Sequence, residues 1–175
     1  MRYACLLRGV NVGQRTINMR QLCEALGSAG FGDVKSYLQS GNILVESKLS
    51  TEGVGGRVQK AIADKFKFDD VDVVVLDAAA LGRIMAACPE KPEAADGNKW
   101  YVTFLAKNPA DELWKGLDGS EYAPDRYFAG RSVVYVYTVH YGRTKINNNF
   151  FERKLKVRAT TRNWNTVTKL REMLG

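Results

Sequence analysis

Residues 131–175 carry ten basic side chains (Arg131, Arg143, Lys145, Arg153, Lys154, Lys156, Arg158, Arg162, Lys169 and Arg171) against two acidic ones, Glu152 and Glu172. That segment is +8, whereas the other residues hold 16 basic and 17 acidic groups, so the formal charge of +7 resides in the last quarter of the chain. Clustered cations gain from releasing the counterions condensed on a polyanion and from the focused field they create. Arg143, Lys145, Arg153, Lys156, Arg158 and Arg162 are therefore candidate contacts to the phosphates of a nucleic acid or another polyanion. A solvated basic helix that keeps the protein soluble has the same composition.

Two further groups of residues suit the capture of a smaller anion. Arg8-Gly9-Val10-Asn11-Val12-Gly13 joins an arginine to a glycine-rich loop, and Ser40-Gly41-Asn42 supplies a short hydroxyl and an amide. With the start of a helix nearby, whose N–H groups lack partners, they could form an anion pocket lined by Arg8, Asn11, Gly13, Ser40 and Asn42. The same residue types equally serve as turn glycines and their capping amides. Near the C-terminus, Thr161-Arg162-Asn163-Trp164 combines a hydroxyl, a guanidinium, an amide and an indole. Such a set can hold an anion or a base edge with the indole as stacking surface. Alternatively Arg162 ties the last helix to the sheet through an acidic partner, and Trp164 anchors a core.

Other chemistries lack their residues. The glycines at 53, 55 and 56 are not followed by Gly-Lys-Ser/Thr, and nothing after the first strand forms Gly-x-Gly-x-x-Gly. One histidine, His140, and three dispersed cysteines, Cys5, Cys23 and Cys88, do not make a zinc set or a nucleophile with an evident base, so no metal and no cofactor is expected. Asp69-Asp70-Val71-Asp72 looks more like a solvated turn than a magnesium cluster. At 175 residues, 45% apolar and 26% charged, the chain is globular, and no apolar run approaches the ~18 residues of a membrane span. The odd, scattered cysteines and the lack of a signal-peptide pattern point to a cytoplasmic protein with free thiols.

The elements that must position these residues follow from hydrophobic period and turn chemistry. Residues 2–8 read as a buried strand, and Asn18 caps a helix whose stripe is Met19, Leu22, Cys23 and Leu26. Residues 33–39 and 43–45 form a hairpin about Ser40-Gly41-Asn42, Val54 to Phe66 outline a second helix, and residues 71–76 a fourth strand. This β-α-β-β-α-β order is the ferredoxin-like unit, in which the ends of its first two strands share one sheet edge and bring the two glycine motifs together. Its third strand, Asn42 to Glu46, lacks the aromatics through which RNA-recognition domains stack bases. The second half repeats the order with an offset: a helix at 78–87, a polar connection at 89–98, a strand at 99–106, and a helix begun by Asn108-Pro109. Strands at 125–129 and 132–139 and helices at 147–156 and 163–174 complete it, with Thr160 or Thr161 capping the last helix. Tyr37-Leu38-x-x-Gly41 and Tyr127-Phe128-x-Gly130 fall in corresponding hairpins.

Leu6-Leu7-Arg8-Gly9-Val10-Asn11-Val12-Gly13, Met19-x-x-Leu22 running to Gly30-Phe31, Val34-x-x-Tyr37-x-x-Ser40-Gly41-Asn42, and Thr161-Arg162-Asn163-Trp164-x-Thr166-Val167 together resemble the bacterial domain-of-unknown-function 1697 family over nearly the whole chain. The resemblance implies a cytoplasmic α+β protein with ferredoxin-like subdomains and implies no activity. The family's first loop typically continues with a second glycine and a lysine, where Gln14-Arg15 stand here. The expectation is thus an α+β protein of two ferredoxin-like subdomains with antiparallel sheets, residues 1–77 and 78–175, the latter ending in basic helices. The function expected is non-enzymatic binding of a polyanion, nucleic acid or phosphate, through the basic end. The alternatives are a small-molecule site, or an enzyme acting on a phosphorylated or carboxylated ligand, where Thr161–Trp164 joins the glycine corner, and a protein-interaction module.

Overall fold

The structure is a computed structural model that describes residues 1–11, 16–90, 96–117 and 120–175, with only the backbone of residue 120. Its contacts divide the chain into two compact units, Met1–Leu81 with Leu170–Gly175, and Gly82–Lys169.

The first unit contains β1 (Arg2–Leu7), α1 (Met19–Ser28), β2 (Gly32–Tyr37), β3 (Asn42–Glu46), α2 (Thr51–Phe66) and β4 (Val73–Asp77). Its sheet has the order β2-β3-β1-β4, antiparallel throughout, with Cys5 opposite both Ile43 and Val75 in the central register. This is the ferredoxin-like order expected for the first half. α1 starts at Asn18, whose Oδ1 accepts from Gln21 N at 3.1 Å, and Gly30 follows its end at a φ of +89°. Leu22 and Leu26 of α1 and Val54, Val58 and Ile62 of α2 are buried in one cluster with Tyr3, Cys5, Leu7, Ile43 and Val45. Ala4, Leu6 and Leu44, which alternate with these along β1 and β3, are also buried. Burial of both faces explains why β1 reads as an unbroken apolar run. It also pushes the Cys5 thiol up to about 12, which leaves it inert at neutral pH.

The second unit repeats the plan with β5 (Trp100–Leu105), α4 (Asp111–Lys115), β6 (Arg126–Ala129), β7 (Val133–Tyr137), α5 (Asn148–Leu155) and β8 (Ala159–Asn163). Its sheet order β6-β7-β5-β8 is the first order again. α3 (Ala78–Ala86) bridges the two sequence halves, and α6 (Trp164–Leu174) closes the chain. Leu105, Val134, Val136, Ile146, Phe150, Phe151 and Leu155 form the core between sheet and helices. The glycine turns after Tyr37 and after Phe128 do occupy corresponding hairpins, β2–β3 and β6–β7. The last residues of α2 and α5 correspond as well: each helix is followed by a left-handed lysine, Lys67 at a φ of +61° and Lys156 at +55°.

Two local expectations are corrected. Thr160 and Thr161 do not cap the last helix, because they lie in β8, paired with Phe104 and Thr103 of β5. The cap is Asn163, whose Oδ1 accepts from Thr166 N at 2.8 Å. β-branched residues favour a pleated strand over a helix terminus when a free sheet edge is available, and β5 offers one. The helix after β5 likewise does not start on Asn108-Pro109. Pro109 is buried, and α4 begins at Asp111 after Ala110, with no side-chain cap.

Candidate functional site

Six basic residues of the second unit come together around α5. Asn147 caps the helix through Oδ1, which accepts from Phe150 N at 3.3 Å. Phe150, Phe151 and Leu155 bury one side against the sheet, and Asn149, Arg153 and Lys156, at i, i+4 and i+7, lie together on the exposed side. That side forms the floor of an open depression of about 1250 Å³, lined by Lys107, Lys145, Arg153, Lys154, Lys156 and Arg158 together with Tyr122, Asn147, Asn149, Phe150, Val157 and Glu152. Six cations thus face one carboxylate, and the Oε1 of Glu152 accepts from Ala159 N at 2.8 Å, where it fixes the start of β8.

Ion pairs elsewhere in the molecule join Arg2 to Asp33 and Glu46, Lys35 to Asp33, Lys99 to Asp96 and Arg126 to Glu90. By contrast, the side chains of Lys107, Lys145, Arg153, Lys154 and Lys156 make no ion pair among the described residues. Like charges gathered without partners repel one another, which a bound polyanion reverses.

Of the six phosphate contacts expected from sequence, Lys145, Arg153, Lys156 and Arg158 line the depression, whereas Arg162 does not, being buried in β8. Arg143 is exposed on the single turn Tyr141–Arg143 and is not among the lining residues. Lys107 and Lys154 were not singled out by sequence, nor was Tyr122. Lys154 was legible as a neighbour of Arg153 at the end of an eight-residue helix. Lys107 reaches the depression only because β5 pairs with β8, a juxtaposition without a local signal.

Arg162 has a different environment. It is 7% exposed in β8, and its Nη1 donates to Thr160 Oγ1 and to the Thr161 carbonyl, both at 2.8 Å. Burial lowers its ordinary value to about 10, opposed by the neighbouring Tyr141, so the guanidinium remains charged at neutral pH. Thr161 Oγ1 lies 2.8 Å from Thr103 Oγ1 and donates to Asn148 Oδ1 at 2.6 Å, linking β5, β8 and α5. Asn163 is the cap of α6, and Trp164, half-buried, is its first residue. Thr161, Arg162 and Asn163 of this motif thus hold local structure.

At the glycine corner of the first unit, Asn11 adopts a φ of +54°. Its Nδ2 donates to the Gln39 carbonyl at 2.6 Å and its Oδ1 accepts from Ile17 N at 2.7 Å. Asn42, fully buried, donates from Nδ2 to the Tyr37 carbonyl and to Ser40 Oγ. The Gly41 carbonyl accepts from Leu7 N at 2.8 Å, and Arg8, half-buried, donates its own N–H to the Asp72 carbonyl at 2.9 Å. Arg8, Asn11, Ser40 and Asn42 therefore share one sheet end as the topology requires, with the side-chain amides of Asn11 and Asn42 engaged in closing the loops. Gly13 lies outside the described residues. Thr161 to Trp164 belong to the second unit and the glycine corner to the first.

Among the described residues no group of three His, Cys, Asp or Glu side chains could hold a metal ion, and no helix is long and apolar enough to cross a membrane. Two antiparallel four-stranded sheets in ferredoxin-like order, one carrying a cationic helix face, define an α+β protein of two such units. The chain belongs to the DUF1697 family, described as proteins of unknown function, whose model matches residues 1–135. The match ends within β7, before the basic helix. Among solved structures, a conserved bacterial protein, SP0830 from Streptococcus pneumoniae, is similar at a TM-score of 0.75 and 21% identity, covering 99% of this chain and 97% of that one. That likeness is one of fold. No curated protein matches the chain.

Proposed function

We propose that the second unit binds a polyanion, nucleic acid before free phosphate, along the exposed face of α5, and that it does so without catalysing a reaction. The observation that carries the reading is the depression in which six cations face a single carboxylate that is engaged with the backbone. Its volume, about 1250 Å³, exceeds the ~300–1,000 Å³ usual for small-molecule sites. The cations are spread along it, which suits a chain of phosphates better than one. Binding through the sheet is disfavoured, since Trp100, Phe104 and Tyr135 are at most 4% exposed. The three cysteines are free thiols, in keeping with a reducing, cytoplasmic setting. A small-anion site at the glycine corner is the weaker reading, because the amides of Asn11 and Asn42 already hold the loops there.

Lys156 separates this reading from a purely structural one. It holds a left-handed backbone at a φ of +55°, the position after a helix where glycine is the usual occupant. Lys156→Gly should relieve strain and raise the unfolding free energy by up to ~1 kcal/mol. It should also weaken binding of a labelled oligonucleotide by up to about fivefold at low salt, the value of one exposed charge contact. Thermal unfolding and fluorescence anisotropy on the same preparations read both quantities. Stabilisation with unchanged affinity would remove the basis of the proposal.

A further inference from the structure

We propose that the polyanion is a single-stranded nucleic acid and that Tyr122 is the surface on which one of its bases stacks, a step that rests on the polyanion reading above. Tyr122 ends the short turn Ser120–Tyr122 and lines the depression beside the cations, half-exposed. Its ring meets that of Phe150 edge-on, with centroids 5.2 Å apart and planes at 73°, and leans on Tyr127 at 6.3 Å. Phe150 belongs to α5, three residues before Arg153. One helix therefore fixes both the orientation of the aromatic ring and the position of the phosphate-binding charges.

Tyr122 packs against the second core yet stays partly open to the depression, unlike Tyr135 at 2% exposure. An aromatic ring left partly open beside Lys107, Lys145, Arg153, Lys154 and Lys156, which make no ion pair among the described residues, offers the two contacts a single strand requires, a π-face for the base and charge for the backbone. A base reaches such a recessed ring only when it is splayed out of a duplex, so paired nucleic acid gains the charge contacts alone. Bases of every kind have a π-face, so the preference is for single strands over other polyanions and carries little sequence specificity.

The test compares three fluorescent ligands of equal length at low salt: an oligothymidine, an abasic strand with the same phosphates, and a duplex. The wild-type protein should bind oligothymidine about tenfold more tightly than the abasic strand and more tightly than the duplex. Tyr122→Leu should abolish the preference for bases, and Tyr122→Phe should retain it, with thermal unfolding reporting the fold of each variant. Equal binding of the abasic strand and oligothymidine by the wild-type protein, a comparison independent of any variant, would overturn the inference and leave the polyanion reading standing. Tighter binding of the duplex would overturn it as well. Failure of all three ligands to bind would overturn both.

Discussion

Replacing Lys145, Arg153 and Lys156 together by glutamate is expected to weaken oligonucleotide binding at low salt by more than about 100-fold. The magnitude follows from the balance of charge around α5. Six cations and Glu152 become three cations and four carboxylates, so attraction gives way to net repulsion over the whole depression. Stability should change far less, because the three side chains are exposed and make no ion pair among the described residues. Reversal at Arg153 and Lys156, beside the carbonyl end of α5, costs about 0.3–1 kcal/mol each through the helix dipole. Anisotropy titration gives the first quantity and urea unfolding the second. A folded triple variant that binds like the wild-type protein would show that the charge is only solvated surface.

The largest effect on stability is expected from Gly41→Ala, in the β2–β3 turn. Gly41 has a φ of +78°, and a methyl group there would meet Val10 Cγ2 at 2.5 Å and Leu7 Cβ at 2.9 Å. Both neighbours are buried, so neither can retreat without disturbing the first core. Overpacking costs about 1–3 kcal/mol and the left-handed backbone about 1 more, giving a loss of roughly 2–4 kcal/mol. Gly9→Ala is the control, since Gly9 has a comparable φ of +69° but nothing within 4 Å of the added methyl. It should lose only the backbone share, ~1 kcal/mol. Equal urea midpoints for the two variants would mean that close packing at Gly41 does not matter.

Residues whose local chemistry agrees with their tertiary role were legible in the sequence. Asn18 caps α1, the apolar run of β1 is buried on both faces, and the turn about Gly41 joins β2 to β3, each as its residue types dictate. β8 was not legible as a strand. Its residues Thr160, Thr161, Arg162 and Asn163 are polar, so no apolar alternation marks them, and threonine before a helical stripe imitates a cap. Only the free edge of β5 decides the matter. The same hidden strand explains why charge counting was a partial guide to the site. Arg162 adds to the sequence total as much as Arg153 does, yet one is folded into the sheet and the other is exposed on α5. Lys107, distant in sequence, joins the cluster through sheet pairing that charge patterning does not encode.

The dependence of oligonucleotide affinity on salt tests the central claim most directly. Each phosphate neutralised on a single strand contributes about −0.7 to the slope of log affinity against log salt concentration. With the five lysine and arginine side chains of the depression that make no ion pair among the described residues engaged, the slope between about 50 and 200 mM salt should be roughly −3.5. A slope near zero, or no binding at the lowest salt, would contradict the assignment of the α5 depression as a polyanion site.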